Sequence, residues 1–95
     1  MTETHLTEAL ESAGWSPSAD GKAIVKTFRF ANFRDAIAWM TRAGFEAEAL
    51  DHHPEWSNVY NRVEVTLTTH DAGGLTEKDT KLAERMEKLP GPKTG

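Results

Sequence analysis

Histidine is the side chain that gives and takes a proton near neutral pH, its unperturbed pKa being roughly 6.5. Three of the four histidines in this chain, His52, His53 and His70, fall in one stretch between Glu48 and Asp79. Two are adjacent in Asp51-His52-His53-Pro54-Glu55-Trp56, and the third closes the run Thr68-Thr69-His70. Grouped in this way they point to proton-transfer chemistry. Adjacent residues in an extended segment face opposite sides, so His52 and His53 are expected to do different jobs. The same divergence argues against a metal. Zinc sites favour spaced ligands such as His-x3–5-His, and neighbouring imidazoles with a third one 17 residues on match no such pattern. Glu48 is read either as orienting a histidine or as a helix-end carboxylate, and Trp56 either as an aromatic wall or as core. His5, near the N-terminus with no polar partner in reach, reads as a solvated surface residue and stays out of the site.

The length bounds what can surround these groups. A chain of 95 residues makes one small domain, 1–95, too short for a scaffold plus a separate substrate domain. Its site must be built from the core-forming elements themselves, with or without a second subunit. The formal net charge of -4 offers no basic footprint and argues against direct nucleic-acid binding. The absence of cysteine excludes a disulfide frame and thiolate chemistry. No cationic segment followed by an apolar run opens the chain, and no stretch of about 18 apolar residues occurs. A cytoplasmic location with no membrane association is the expectation.

The elements that must position the histidines follow from apolar spacing. Leu6, Ala9, Leu10 and Ala13 recur at helical intervals and predict a short helix over residues 3 to 13, ended by Gly14. Trp15 and Ser16-Pro17-Ser18 begin an extended or turn segment, and the turn pair Asp20-Gly21 leads to a half-buried strand over 23 to 30. On that strand Ile24, Phe28 and Phe30 share one face, with Lys26 the exception. Asn32 is a good N-cap with Asp35 three residues on. From there Phe33, Ala36, Ile37, Met40, Ala43, Ala47 and Leu50 predict one helix over 33 to 49. Gly44 lies inside it and is read as interior rather than as a C-cap. A continuous helix delivers Asp51 and His52 at its carboxyl end, and Pro54 forces His53 toward extended geometry. Residues 59 to 69 alternate as a strand that ends beside His70, with Trp56, Ser57 and Asn58 as a possible short partner. After Gly73-Gly74, Thr76 and Asp79 cap a last helix whose buried stripe is Leu82, Ala83, Met86 and Leu89. Asp79 is read here as a structural cap. Pro90-Gly91-Pro92 begins a loose tail over 90–95. The expected fold is α+β: a small antiparallel four-stranded sheet with three helices packed on one face.

Glu48, His52-His53-Pro54, Tyr60, His70 and Asp79, at these intervals, resemble the signature of the pterin-4a-carbinolamine dehydratases. The likeness extends to Gly14-Trp15, Phe28-x-Phe30, Met40-Thr41-Arg42, Leu50 to Trp56, Asn58-Val59-Tyr60-Asn61 and Leu75-Thr76-Glu77-x-Asp79. It covers the chain from Gly14 to about Ala83. The resemblance implies a hydro-lyase that dehydrates 4a-hydroxytetrahydropterin to the quinonoid dihydropterin, in recycling the pterin cofactor of aromatic amino acid hydroxylases. It implies His52, His53 and His70 as catalytic, with His52 and His70 the acid/base pair and His53 chiefly holding substrate. Asp51 and Thr68-Thr69-His70-Asp71 match the pterin-contacting loops. Neither an organic cofactor nor a metal is implied, and the expected partners are the pterin and further copies of the chain, as a homodimer or a dimer-of-dimers tetramer. The alternative is a protein-binding or dimerisation module on the same fold, serving as a transcriptional coactivator or an assembly chaperone.

Overall fold

Two strands whose inward positions are apolar, Lys26 excepted, form the middle of the sheet. In the computed structural model, which describes residues 7–89, these are β2 (Ile24–Arg29) and β4 (Arg62–Leu67). They pair antiparallel, with Ile24 opposite Leu67 and Phe28 opposite Val63, so the buried side chains of both strands share one face. A two-residue strand, β1 (Ser16–Pro17), pairs with β2, and β3 (Glu55–Val59) pairs with β4. The strand order is β1-β2-β4-β3, all antiparallel. Three helices, α1 (Glu8–Ala13), α2 (Phe33–Ala49) and α3 (Glu77–Lys88), complete the α+β fold and pack on the apolar face of the sheet.

Residues 1–6 and 90–95 lie outside the described residues, and with them the expected helix start, His5 and the C-terminal tail. Within them α1 is capped by Thr7, whose Oγ1 accepts from the Leu10 N–H, and it closes on Gly14 at a φ of 112°. Helix α2 runs through Gly44 without a break. Its Asn32 cap accepts from the Asp35 N–H at 2.8 Å, as the spacing predicts.

The buried face of α2 differs from the expected stripe. Ala36, Trp39, Ala43 and Ala47 are buried, whereas Phe33 and Ile37 are exposed. Apolar residues occur on both flanks of this helix, so helical spacing alone does not choose between them. Packing does: the Trp39 ring lies 4.3 Å from Phe28 and 5.5 Å from Phe30, between centroids.

Residues 59 to 69 are not one strand. Val59 ends β3, Tyr60 and Asn61 make a two-residue turn, and β4 begins at Arg62. Tyr60 takes a left-handed φ of 53°, and local hydrogen bonds hold the turn. Asn58 Nδ2 donates to the carbonyls of Tyr60 and Arg62, and Asn61 Nδ2 donates to the Phe30 carbonyl. His70 accordingly opens a short 3-10 turn, His70–Ala72, beyond the end of β4.

Lys26, the polar residue on the apolar face of β2, is carried by its surroundings. Its Nζ sits 4.4 Å from the Phe28 ring centroid and donates to Glu87 Oε2 at 2.6 Å. The same carboxylate oxygen accepts from Trp15 Nε1 at 2.8 Å, tying the end of α3 to the start of the sheet. Long cationic side chains commonly bury an aliphatic stem and keep the head paired in this way.

Candidate active site

The C-terminus of α2 aims the first two histidines. Asp51 adopts the left-handed φ of 53°, its N–H donates to the Glu48 carbonyl, and the His52 N–H donates to the Ala47 carbonyl. This pair of bonds is the Schellman ending, usually built on glycine; aspartate is among the few other residues that tolerate the conformation. The reversal sends His52 inward, where it is 9% exposed, while His53 next to it points out with its side chain 60% exposed.

His52 Nε2 donates to Asp79 Oδ1 at 2.5 Å. Asp79 is fully buried at the start of α3. Its other oxygen, Oδ2, accepts from the Thr69 hydroxyl at 2.8 Å and from the Thr76 N–H at 3.0 Å. Asp79 is the capping carboxylate that the sequence predicts and also the anchor of His52, a contact across 27 residues that helix spacing does not reveal. Through Thr69 it reaches the residue beside His70. A buried carboxylate surrounded by donors is a satisfied group that fixes each donor's orientation.

The other two histidines follow the same pattern at the surface. His53 Nε2 lies 2.9 Å from Glu48 Oε1, and His70 Nε2 lies 2.6 Å from Glu55 Oε2. Each of the three imidazoles therefore meets a different carboxylate through Nε2. When a carboxylate accepts from Nε2–H, the neutral ring keeps its lone pair on Nδ1. Glu48 is thus beside a histidine, one of its two readings from sequence. Glu55 had no such signal, since its position opening β3 explains it as a polar strand residue.

Thr69 exchanges backbone hydrogen bonds with Gly74, closing the loop that carries His70 and Asp71. Thr68 Oγ1 donates to the Lys22 carbonyl at 2.6 Å. His70 and Glu55 line a groove of about 450 Å³ whose other walls include Ser18, Asp20, Lys22 and Thr68. Clefts that take small molecules span about 300–1,000 Å³. In this wall Asp20 Oδ1 accepts from the Lys22 N–H and from Ser18 Oγ, which holds its carboxyl below the ordinary value of 3.8. Asp71 falls in a neighbouring depression of about 490 Å³, with Thr76, Lys78 and Lys81. Asp51 is exposed at the end of α2. Trp56 is partly buried and packs against the core, its ring 6.4 Å from that of Trp39. Among the described residues, no three His, Asp or Glu side chains converge as a metal site would require.

Comparison with known proteins bears on what this arrangement serves. The family model for pterin 4 alpha carbinolamine dehydratase matches residues 1–89. A Rhizobium johnstonii protein named for pterin-4-alpha-carbinolamine dehydratase is 59% identical over 86 residues, covering 90% of this chain and 82% of the relative. One from Opitutus terrae with the same name is 54% identical, covering 94% and 92% respectively. Among solved structures, the crystal structure titled transcriptional coactivator/pterin dehydratase from Brucella melitensis superimposes with a TM-score of 0.79 at 43% identity, over 90% of this chain and 98% of that one.

Proposed function

The chain belongs to the pterin 4 alpha carbinolamine dehydratase family, and we propose that it dehydrates 4a-hydroxytetrahydropterin to the quinonoid dihydropterin by histidine acid/base catalysis. The C4a–O bond breaks as one imidazolium gives its proton to the departing hydroxyl, which leaves as water. A second, neutral imidazole takes the proton from the ring N–H as the C=N bond forms. Positioned imidazoles each supply on the order of 10² to 10⁴ in rate for such transfers. His52 and His70 are assigned these two roles, and His53 holds the substrate. Asp51 and the Thr68 to Asp71 segment contact the pterin. The reaction as written calls on no metal or organic cofactor, so the rate should survive a chelator.

One observation carries the reading: each histidine is held by its own carboxylate through Nε2. Held rings with a defined nitrogen are what acid/base transfer needs, and a surface that only binds another protein has no use for them. The physiological role that follows is recycling of the pterin cofactor for aromatic amino acid hydroxylases, with the protein acting as a homodimer or a tetramer of two dimers. Stopped-flow measurement of carbinolamine dehydration tests the catalytic reading directly. His52→Ala and His70→Ala should lower kcat by about 10² or more with little change in KM, while His53→Ala should chiefly raise KM. Equal and trivial effects in all three variants would sink the assignment.

A further inference from the structure

We propose that Glu55 is a positioning residue for His70, holding its imidazole as the Nε2–H tautomer so that Nδ1 is the nitrogen that transfers the proton. The proposal rests on the dehydratase reading and names a residue that neither the family signature nor the histidine spacing singles out.

The His70 side chain is 78% exposed, so packing does not fix its ring. Its backbone is fixed, since the Thr69 to Gly74 bridge closes the loop and the Gly73 N–H donates to the His70 carbonyl. What orients the ring itself is the 2.6 Å hydrogen bond to Glu55. Glu55 is well suited to that task because it stands on β3, paired through Thr66 to the centre of the sheet, rather than on a loop. The two side chains line one groove, where the other charged groups are Asp20, held by Ser18 and by the Lys22 N–H, and Lys22. Exposed ion pairs contribute little to folding. The consequence of this one should therefore appear in turnover and not in stability, unlike that of the buried His52 to Asp79 pair.

When the carboxylate of a Ser-His-Asp triad becomes an amide, the histidine is left in the wrong tautomer and kcat falls about 10⁴-fold. An exposed pair, for which water partly substitutes, should lose less, on the order of 10- to 100-fold. The test combines kinetics with imidazole ¹⁵N spectra of the full chain, recorded where the ring is neutral. The wild-type spectrum should show His70 mainly as the Nε2–H form, and Glu55→Gln and Glu55→Ala should mix the tautomers. Both variants should lower kcat for carbinolamine dehydration by about tenfold or more, with KM and thermal midpoint nearly unchanged. In the His70→Ala background Glu55→Gln should cost nothing further. A His70 ring that is mainly Nδ1–H in the wild type, a Glu55→Gln kcat within about twofold of wild type, or an equal loss in the His70→Ala background each overturns the proposal. Absence of turnover in the wild-type chain would instead overturn the dehydratase reading, and the spectra would still judge the tautomer.

Discussion

At the scale of single residues, Asp79 shows how two explanations can share one side chain. Thr76 and Asp79 stand three residues apart at the start of a helix, and their capping box is present as the spacing requires. That explanation is complete in itself, and nothing in the local sequence marks a second role. The bond to His52 is a fact of tertiary packing, as is the bond between Glu55 and His70. Asp79 differs from Glu55 in being fully buried, and the magnitudes differ accordingly. Removing an acceptor from buried donors leaves them unpaired, which costs about 1–3 kcal/mol for a neutral group and more for a charged pair. Asp79→Ala strands the His52 ring and the Thr76 N–H and leaves the Thr69 hydroxyl only its bond to the Thr76 hydroxyl. It should lower stability by roughly 3 kcal/mol, read from the urea midpoint, and lower kcat as His52 loses its orientation. An unchanged midpoint would mean that water replaces the carboxylate and that the site is less dry than its burial indicates.

Whole elements were more legible than their edges and faces. The N-caps at Asn32 and Thr76 and the unbroken course of α2 follow from local chemistry, and local chemistry is what a sequence displays. The β3 to β4 hairpin was hidden for a geometric reason. The alternation of Val59, Asn61, Val63, Val65 and Leu67 runs on in the sequence although the two-residue turn shifts its phase, putting Trp56 on the face of Val65 and Val59 on that of Arg62, and Tyr60-Asn61 lacks the glycine that usually advertises such a turn. The face of α2 was hidden because Phe33 and Ile37 satisfy helical spacing as well as Trp39 does, and only the aromatic contacts with Phe28 and Phe30 decide between them. Gly44 offers a test of the helix itself. A β-carbon there would meet nothing within 4 Å, and the residue lies inside a helix whose interior favours alanine over glycine by about 1 kcal/mol. Gly44→Ala should therefore raise the thermal midpoint, by an amount corresponding to roughly 0.5–1 kcal/mol. A lowered midpoint would show that another surface approaches Gly44 and needs the space.

The molecule as a whole hides one side of its sheet and leaves the other open. Val25, Thr27, Arg29, Glu64 and Thr66 face away from the helices, a mostly polar set that water can cover. The outer side of α2 is different. Ile37 and Phe45 are 40% and 70% exposed and fall on the side away from the buried Trp39 and Ala43, while Phe33, 47% exposed, lies at the edge of the buried face next to Ala36. Large apolar groups gathered on one face commonly mark a contact with another chain, and a helix face that meets its own copy does so about a two-fold axis. A homodimer or a dimer-of-dimers tetramer is accordingly expected, with this flank inside it. Light scattering on the eluting protein should give a mass that is a multiple of the 10.5 kDa chain, and Phe45→Asp should reduce it without loss of helical content. A wild-type monomer would contradict the assembly outright. A Phe45→Asp variant of unchanged mass would move the interface from α2 to the sheet, where the exposed edge of β3 carries Glu55 and a second subunit would come close to the His70 groove.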